Sequence, residues 1–310
     1  MRLDALHLNT PLLRAAPGLF PQAEVWLKMD ALQPSGSFKL RGVGRLVQQA
    51  AQDGAREIVC ASGGNAGFAA AYAARALGLP VTIVLPESSS AAVAELIAAR
   101  GAQVLRHGAV WDEAHRFASA LAEERGAAYV HPFDHALLFE GHSSLIDEVL
   151  DQGLDFDAVV TAVGGGGLYS GIVQGLQRHG LHQVPVIAVE TVGADSFSQS
   201  LQAGHAVTLP AITSIATSLG ARRVADEALR LARIHPTVSL TVSDAQATAA
   251  CARFADAMRV MVEPACGAAL AVLSAHPEVF APFKRPLVEV CGGVGVSVEL
   301  LQRWRAAPVD

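Results

Sequence analysis

Short apolar runs rich in valine and isoleucine alternate along this chain with longer alanine-rich segments. The runs are Glu57-Ile-Val-Cys60, Val81-Thr-Ile-Val-Leu85, Ala158-Val-Val-Thr-Ala-Val163, Val186-Ile-Ala-Val189 and Pro286-Leu-Val-Glu-Val-Cys291, with a further strand-like stretch at Val25-Trp-Leu-Lys-Met29. Continuous β-branched runs between helical segments predict strands of mainly parallel sheets covered by helices on both faces. The most apolar stretch, Ala66 to Pro86, is interrupted by Arg75, Gly78 and Pro80 and turns from alanine-rich to β-branched halfway along. That pattern predicts a buried helix followed by a buried strand rather than a membrane span.

Several predicted strands run into glycine-rich turns that open the next helix: Ala61-Ser-Gly-Gly-Asn-Ala-Gly67, Gly164-Gly-Gly-Gly167 and Gly292-Gly-Val-Gly295. Ligands of open α/β sheets bind at such strand ends. No internal repeat, low-complexity tract or charge block marks a flexible linker, so any domain division is expected at chain crossings. With few residues after Gly295, no separate regulatory domain is expected at the C-terminus.

Composition narrows the partners. A chain of 310 residues, 51% of them hydrophobic, can bury a large core or two domains sharing one cleft. Only 17% are charged and the net charge is −6, so there is no basic field to gather nucleic acid or an anionic membrane. Cys60, Cys251, Cys266 and Cys291 form no CxxC pair and no zinc-ligand spacing. Reduced thiols in the cytoplasm are expected. The N-terminal segment carries Asp4 and breaks at Pro11, unlike a signal peptide, so the mature chain is expected to start here.

Four segments carry candidate chemistry. In Pro34-Ser-Gly-Ser-Phe-Lys-Leu-Arg-Gly42, Lys39 sits among small, turn-favouring residues. A carbonyl cofactor needs an amine that is neutral part of the time, which partial burial beside Phe38 favours. The segment also reads as a solvated lysine at a helix start. Gly164, Gly165, Gly166 and Gly167 follow a buried strand, and contiguous glycines at a helix N-terminus let backbone N–H groups approach a phosphate. The spacing is not that of a dinucleotide fingerprint, so a phosphate cup is favoured over both a dinucleotide site and a plain tight turn. Ser62-Gly-Gly-Asn-Ala-Gly67 offers backbone donors that suit a carboxylate, and Asn65 both donates and accepts. Cys291, followed by two glycines, can face a ligand ring or serve as a core thiol. His131, His135 and His142 lack a zinc-helix spacing and are taken as structural or surface residues.

Taken in order, PSGSFKLRG, SGGNAG, GGGGLYSG, EPACGAAL and CGG resemble the fold-type II pyridoxal-phosphate enzymes, the tryptophan synthase β-like family, over essentially the whole chain. Within it they are most similar to the short L-serine/L-threonine dehydratases whose last motif begins with cysteine. The resemblance implies two open, twisted, mainly parallel sheets flanked by helices. Residues 40–134 would form a small domain inserted in a large cofactor-binding domain of residues 1–39 and 135–310, with the cofactor between them. It implies pyridoxal 5'-phosphate on Lys39 as a Schiff base, Phe38 against the ring, Asn65 on its phenolic oxygen, Gly164, Gly165, Gly166 and Gly167 around its phosphate, and Cys291 at its ring nitrogen. Ser62, Gly63, Asn65 and Ala66 would hold the substrate carboxylate. Backbone carbonyls of Gly164, Ala194, Leu219 and Ala221, with Glu190, would bind a monovalent cation, potassium being expected. Glu190 also reads as a strand-end glutamate in an ordinary ion pair. Family members are commonly homodimers.

The expected reaction is β-elimination from L-serine to pyruvate and ammonia, and from L-threonine to 2-oxobutanoate, with Lys39 as general base. A neutral thiol at the ring nitrogen, where aminotransferases have a carboxylate, weakens the ring as an electron sink and favours elimination over amino-group transfer. A serine racemase on this scaffold has a serine where Gly63 stands, and glycine has no proton to give. O-acetylserine sulfhydrylases typically have Thr-Gly after the asparagine, where this chain has Asn65-Ala-Gly67. A non-catalytic binding protein is the reading from another class, and the joint presence of Lys39, Asn65 and Cys291 argues against it.

Overall fold

The computed structural model describes residues 4–22 and 24–306. In chain order its elements are β1 (Leu12–Arg14), β2 (Trp26–Lys28), α1 (Lys39–Gln52), β3 (Ile58–Cys60), α2 (Asn65–Ala76), β4 (Val81–Leu85) and α3 (Ala91–Ala98). Next come β5 (Gln103–Arg106), α4 (Trp111–Arg125), β6 (Ala128–Val130), α5 (Ala136–Asp151), β7 (Ala158–Ala162), α6 (Gly167–Arg178), β8 (Val186–Thr191) and α7 (Ser196–Ala203). The last are α8 (Asp226–Ala232), β9 (Thr237–Val242), α9 (Asp244–Met258), α10 (Pro264–Ala275), α11 (Pro277–Phe280), β10 (Pro286–Glu289) and α12 (Val298–Ala306). The chain forms two units. One holds the described residues through Leu8 with Gln33–His142, the other Asn9–Leu32 and the described residues from Ser143 on.

The first unit is built on a four-stranded parallel sheet, order β5-β4-β3-β6. Its central strands β3 and β4 are buried throughout, and Val59, Ala61 and Val84 pack against Ala114, Ala118, Leu121 and Ala122 of α4. The alanine-rich α2 buries Ala69, Ala70, Ala71, Ala73 and Ala74, so the predicted helix and strand between Ala66 and Pro86 are both present. α1 meets the start of α5 where Gly42 and Gly141 face one another. A Cβ on Gly42 would stand 2.7 Å from the His142 ring, and one on Gly141 would strike the Arg41 carbonyl.

The second unit is built on a six-stranded sheet, order β1-β2-β10-β7-β8-β9, parallel except for the antiparallel pair β1 and β2. Helices α9 and α10 cross at Gly267, where a Cβ would meet the Ala247 carbonyl and lie 2.5 Å from Cys251 Sγ. α9 starts at a capping box, with Ser243 Oγ accepting from Gln246 N and Gln246 Oε1 accepting from Ser243 N. The α/β architecture with two helix-flanked sheets is the one the hydrophobic pattern predicts.

Candidate active site

In the first unit, Lys39 is the first residue of α1 and Phe38 its N-cap. Lys39 Nζ donates to the Pro132 carbonyl at 2.6 Å and lies 5.1 Å from the centre of the Phe38 ring. Phe38 in turn packs on His142, ring centres 5.0 Å apart. Burial drives His142 well below the ordinary histidine range, and the charges of Lys39, Arg41 and His7 act in the same direction. Lys39 is half-buried, as a lysine that must meet a ligand requires.

The turn Ser62–Ala66 leaves the C-terminal end of β3. Gly64 N donates to Ser62 Oγ at 3.3 Å, and the carbonyl of Ala61, just before the turn, accepts the Trp111 indole N–H at 2.8 Å. Gly67 is obligatory, because its Cβ would fall on the Ser62 carbonyl. Asn65 is buried as the first residue of α2. Burial pushes the Cys60 thiol up to about 12, partly offset by the charge of Lys39, which acts on this end of β3. Lys39 and the Ser62–Ala66 turn thus share one end of the small sheet.

In the second unit, the glycine turn follows β7. Gly166 has φ +88° and caps α6, and a Cβ there would stand 2.6 Å from Ala228 Cβ. Gly164 packs on the backbone of Ser218 and Leu219, a Cβ there lying 3.0 Å from both. The Gly165 carbonyl accepts Ala225 N at 3.0 Å, which leaves the glycine N–H groups and the start of α6 as the donors of the turn. Cys291 follows β10, which pairs in parallel with β7, so the thiol and the glycine turn emerge at the same end of adjacent strands. A hydrogen bond with Cys266 and burial push the Cys291 thiol well above its ordinary range, with Glu289 and Glu263 adding to the effect. It is a neutral thiol.

Glu190 ends up differently from an ordinary ion pair. It is fully buried in β8, and its two carboxylate oxygens accept Phe197 N at 2.9 Å and Ser198 N at 2.7 Å, in the first turn of α7. Burial pushes it up to about 8 against the lowering effect of those two bonds. Ala194 N closes back on the Thr191 carbonyl, and Ala221 N on that of Leu219. Among the described residues no three His, Cys, Asp or Glu side chains gather as a metal site.

These residues fit pyridoxal phosphate. The glycine turn is a cradle without side chains at a helix N-terminus, suited to a phosphate. Ser37 Oγ, two residues before Lys39, and Ser170 Oγ, in the first turn of α6, are buried hydroxyls with no partner among the described residues. Sequence reasoning missed Glu263, whose Oε2 accepts Gly295 N at 2.9 Å and so builds the turn after Cys291, and Cys266, which bonds Cys291. Both stand in the quoted motif EPACGAAL, which was a signal available in the sequence. Pro132 was missed as well, since a backbone carbonyl leaves no mark on residue type.

Residues 3–292 match the family described as pyridoxal-phosphate dependent enzyme, and the chain belongs to that family. It is 47% identical to a mouse protein named serine dehydratase-like, over 97% of this chain and 95% of that one. It is 44% identical to a human L-serine dehydratase/L-threonine deaminase, over 96% and 94% of the two chains. Among solved structures, a fungal L-serine ammonia-lyase from Rhizomucor miehei superposes with TM-score 0.91 at 36% identity, covering 98% of this chain and 99% of that one.

Proposed function

We propose that this chain is a pyridoxal-phosphate dependent ammonia-lyase that eliminates the β-hydroxyl of L-serine, releasing pyruvate and ammonia, and converts L-threonine to 2-oxobutanoate in the same way. The observation that carries this reading is the buried Cys291 thiol, which Cys266 and burial hold well above its ordinary range, beside the glycine turn at the end of neighbouring strands. The cofactor supplies an aldehyde for the substrate amine and a ring that withdraws the electron pair left at Cα.

The chain's own residues do the rest. Gly164, Gly165, Gly166 and Gly167 bind the phosphate through backbone N–H groups, and Phe38 supports one face of the ring. Asn65 holds the phenolic oxygen, and Cys291 presents a thiol that leaves the ring nitrogen uncharged, which limits amino-group transfer. Ser62, Gly63, Asn65 and Ala66 orient the substrate carboxylate. Lys39 carries the cofactor at rest and accepts the Cα proton at Nζ during turnover. Gly63 offers no proton on the other face, so the stereocentre is lost by elimination rather than inverted.

Potassium is assigned to the carbonyls of Gly164, Ala194, Leu219 and Ala221 with Glu190, a reading supported by the packing of Gly164 on Leu219. The working form is proposed to be a cytoplasmic homodimer. No helix among the described residues is long and apolar enough to cross a membrane. The test is 2-oxo acid production from L-serine, L-threonine and D-serine, in potassium and in a bulky organic cation. Turnover of the L-substrates that falls without potassium supports the reading; turnover of D-serine alone overturns it.

A further inference from the structure

His131 stands at the end of β6, which pairs in parallel with β3 so that Val130 lies opposite Cys60. The turn that follows His131 therefore leaves the sheet beside the Ser62–Ala66 turn. His131 Nδ1 accepts the N–H of Asp134 at 2.9 Å and that of Phe133 at 3.3 Å. An imidazole nitrogen that accepts two backbone N–H groups carries no proton, which fixes the ring as the neutral tautomer protonated at Nε2. Burial, with the charges of His115, Lys39 and His135, drives its pKa down to about 4, so the acceptor persists at neutral pH.

The ring is also clamped. Phe133, His115 and Trp111 meet it near edge-on, with ring centres at 4.7, 5.3 and 6.1 Å. The residue inside the turn is Pro132, whose ring fixes its own φ and whose carbonyl accepts Lys39 Nζ at 2.6 Å. The side chain of His131 thus pins a peptide segment that aims an acceptor at the lysine amine.

We infer that His131 is a positioning residue for Lys39: its Nδ1 holds the 131–134 turn, and that turn holds the Pro132 carbonyl where it orients the amine. A lysine amine bonded to a fixed carbonyl is held in one orientation when it meets the cofactor aldehyde and the Cα proton. Without the clamp the carbonyl moves, and the amine spends less time in the reactive geometry. The inference rests on the reading of Lys39 as the cofactor lysine.

The test compares His131→Asn, whose side-chain oxygen can accept the same N–H groups two and three residues on, with His131→Phe, which keeps the ring and loses the acceptor. Both are made in the full chain, freed of cofactor and mixed with pyridoxal phosphate. The readouts are the rate at which the visible band of lysine-bound cofactor appears, and kcat and KM for L-serine. The expected result is that His131→Phe slows band formation and kcat about tenfold with KM within about twofold, while His131→Asn stays within about threefold of the parent. Equal rates for the two variants, or loss in both, would overturn the inference. Failure of the parent itself to form the band would instead overturn the reading of Lys39. Melting curves of both variants accompany the kinetics, and His131→Gln replaces His131→Phe as the misplaced-acceptor comparison if the latter does not fold.

Discussion

The carboxyl group of Glu263 fills the volume that a Cβ on Gly293 would occupy. Its Oε2 reaches one step further to accept Gly295 N. Two motifs thirty residues apart in sequence, roughly, are therefore one structure: the acid at the start of α10 is the floor of the turn that carries Cys291.

Gly293→Ala tests that relationship. With φ at +128° the backbone is already in a region that side chains avoid, and the new methyl would displace Glu263. A loss of about 2 kcal/mol or more in urea unfolding is expected, together with weaker cofactor retention. Unchanged unfolding and retention would show that the turn does not depend on Glu263.

Gly63→Ser should fold. A Cβ at this position meets Leu85 Cδ2 at 3.2 Å, a terminal methyl that can give way, and Ser89 Oγ at 3.6 Å. If Gly63 faces the substrate opposite Lys39, as proposed, the new hydroxyl supplies a proton donor on that face and D-serine should appear beside pyruvate from L-serine. Chiral chromatography of the reaction reads this directly. A folded variant that makes pyruvate but no D-serine would remove Gly63 from the account of stereochemistry.

Lys28 is fully buried, paired with Glu148 at 2.7 Å and donating to the Thr10 carbonyl at 2.7 Å. Removing one partner leaves a buried charge with less compensation. Glu148→Gln should cost about 3 kcal/mol in urea unfolding, whereas the double change Lys28→Met with Glu148→Leu should cost less than that. A double variant less stable than Glu148→Gln would contradict the electrostatic explanation.

Acid stability should carry the mark of His131. With its pKa held near 4 in the folded chain against 6.5 for an ordinary histidine, the unfolded chain binds a proton between these values that the folded chain refuses. The contribution is full above about pH 6.5 and is lost as pH falls toward 4. His131→Asn should therefore show a shallower fall in melting temperature over that window than the parent. His115, His142 and His235, also lowered by burial, add to the same slope. Parallel curves would mean that His131 is not held neutral by the fold.

How much of this was legible beforehand follows the physics of burial. The strands read from sequence, β2, β3, β4, β7, β8 and β10, are the inner strands of both sheets, where burial on two faces demands continuous apolar runs. The four that carried no such signal, β1, β5, β6 and β9, are the sheet edges. Their residues are partly exposed, as in Gln103–Arg106, and a mixed sequence suffices there. Lys39 was ambiguous alone, because a lysine at a helix start is ordinarily solvated, and it gained meaning only beside Asn65, the glycine turn and Cys291. Contacts made by backbone carbonyls, such as that of Pro132 to Lys39, could not be read from residue types at all.

The most direct measurement is made on Lys39→Ala, mixed with pyridoxal phosphate and assayed for pyruvate from L-serine. With Lys39 as the cofactor lysine, the variant shows no visible band sensitive to borohydride and no pyruvate above the level of free cofactor, while the parent shows both. Pyruvate formed by Lys39→Ala at the rate of the parent would contradict the assignment of Lys39 and the mechanism built on it.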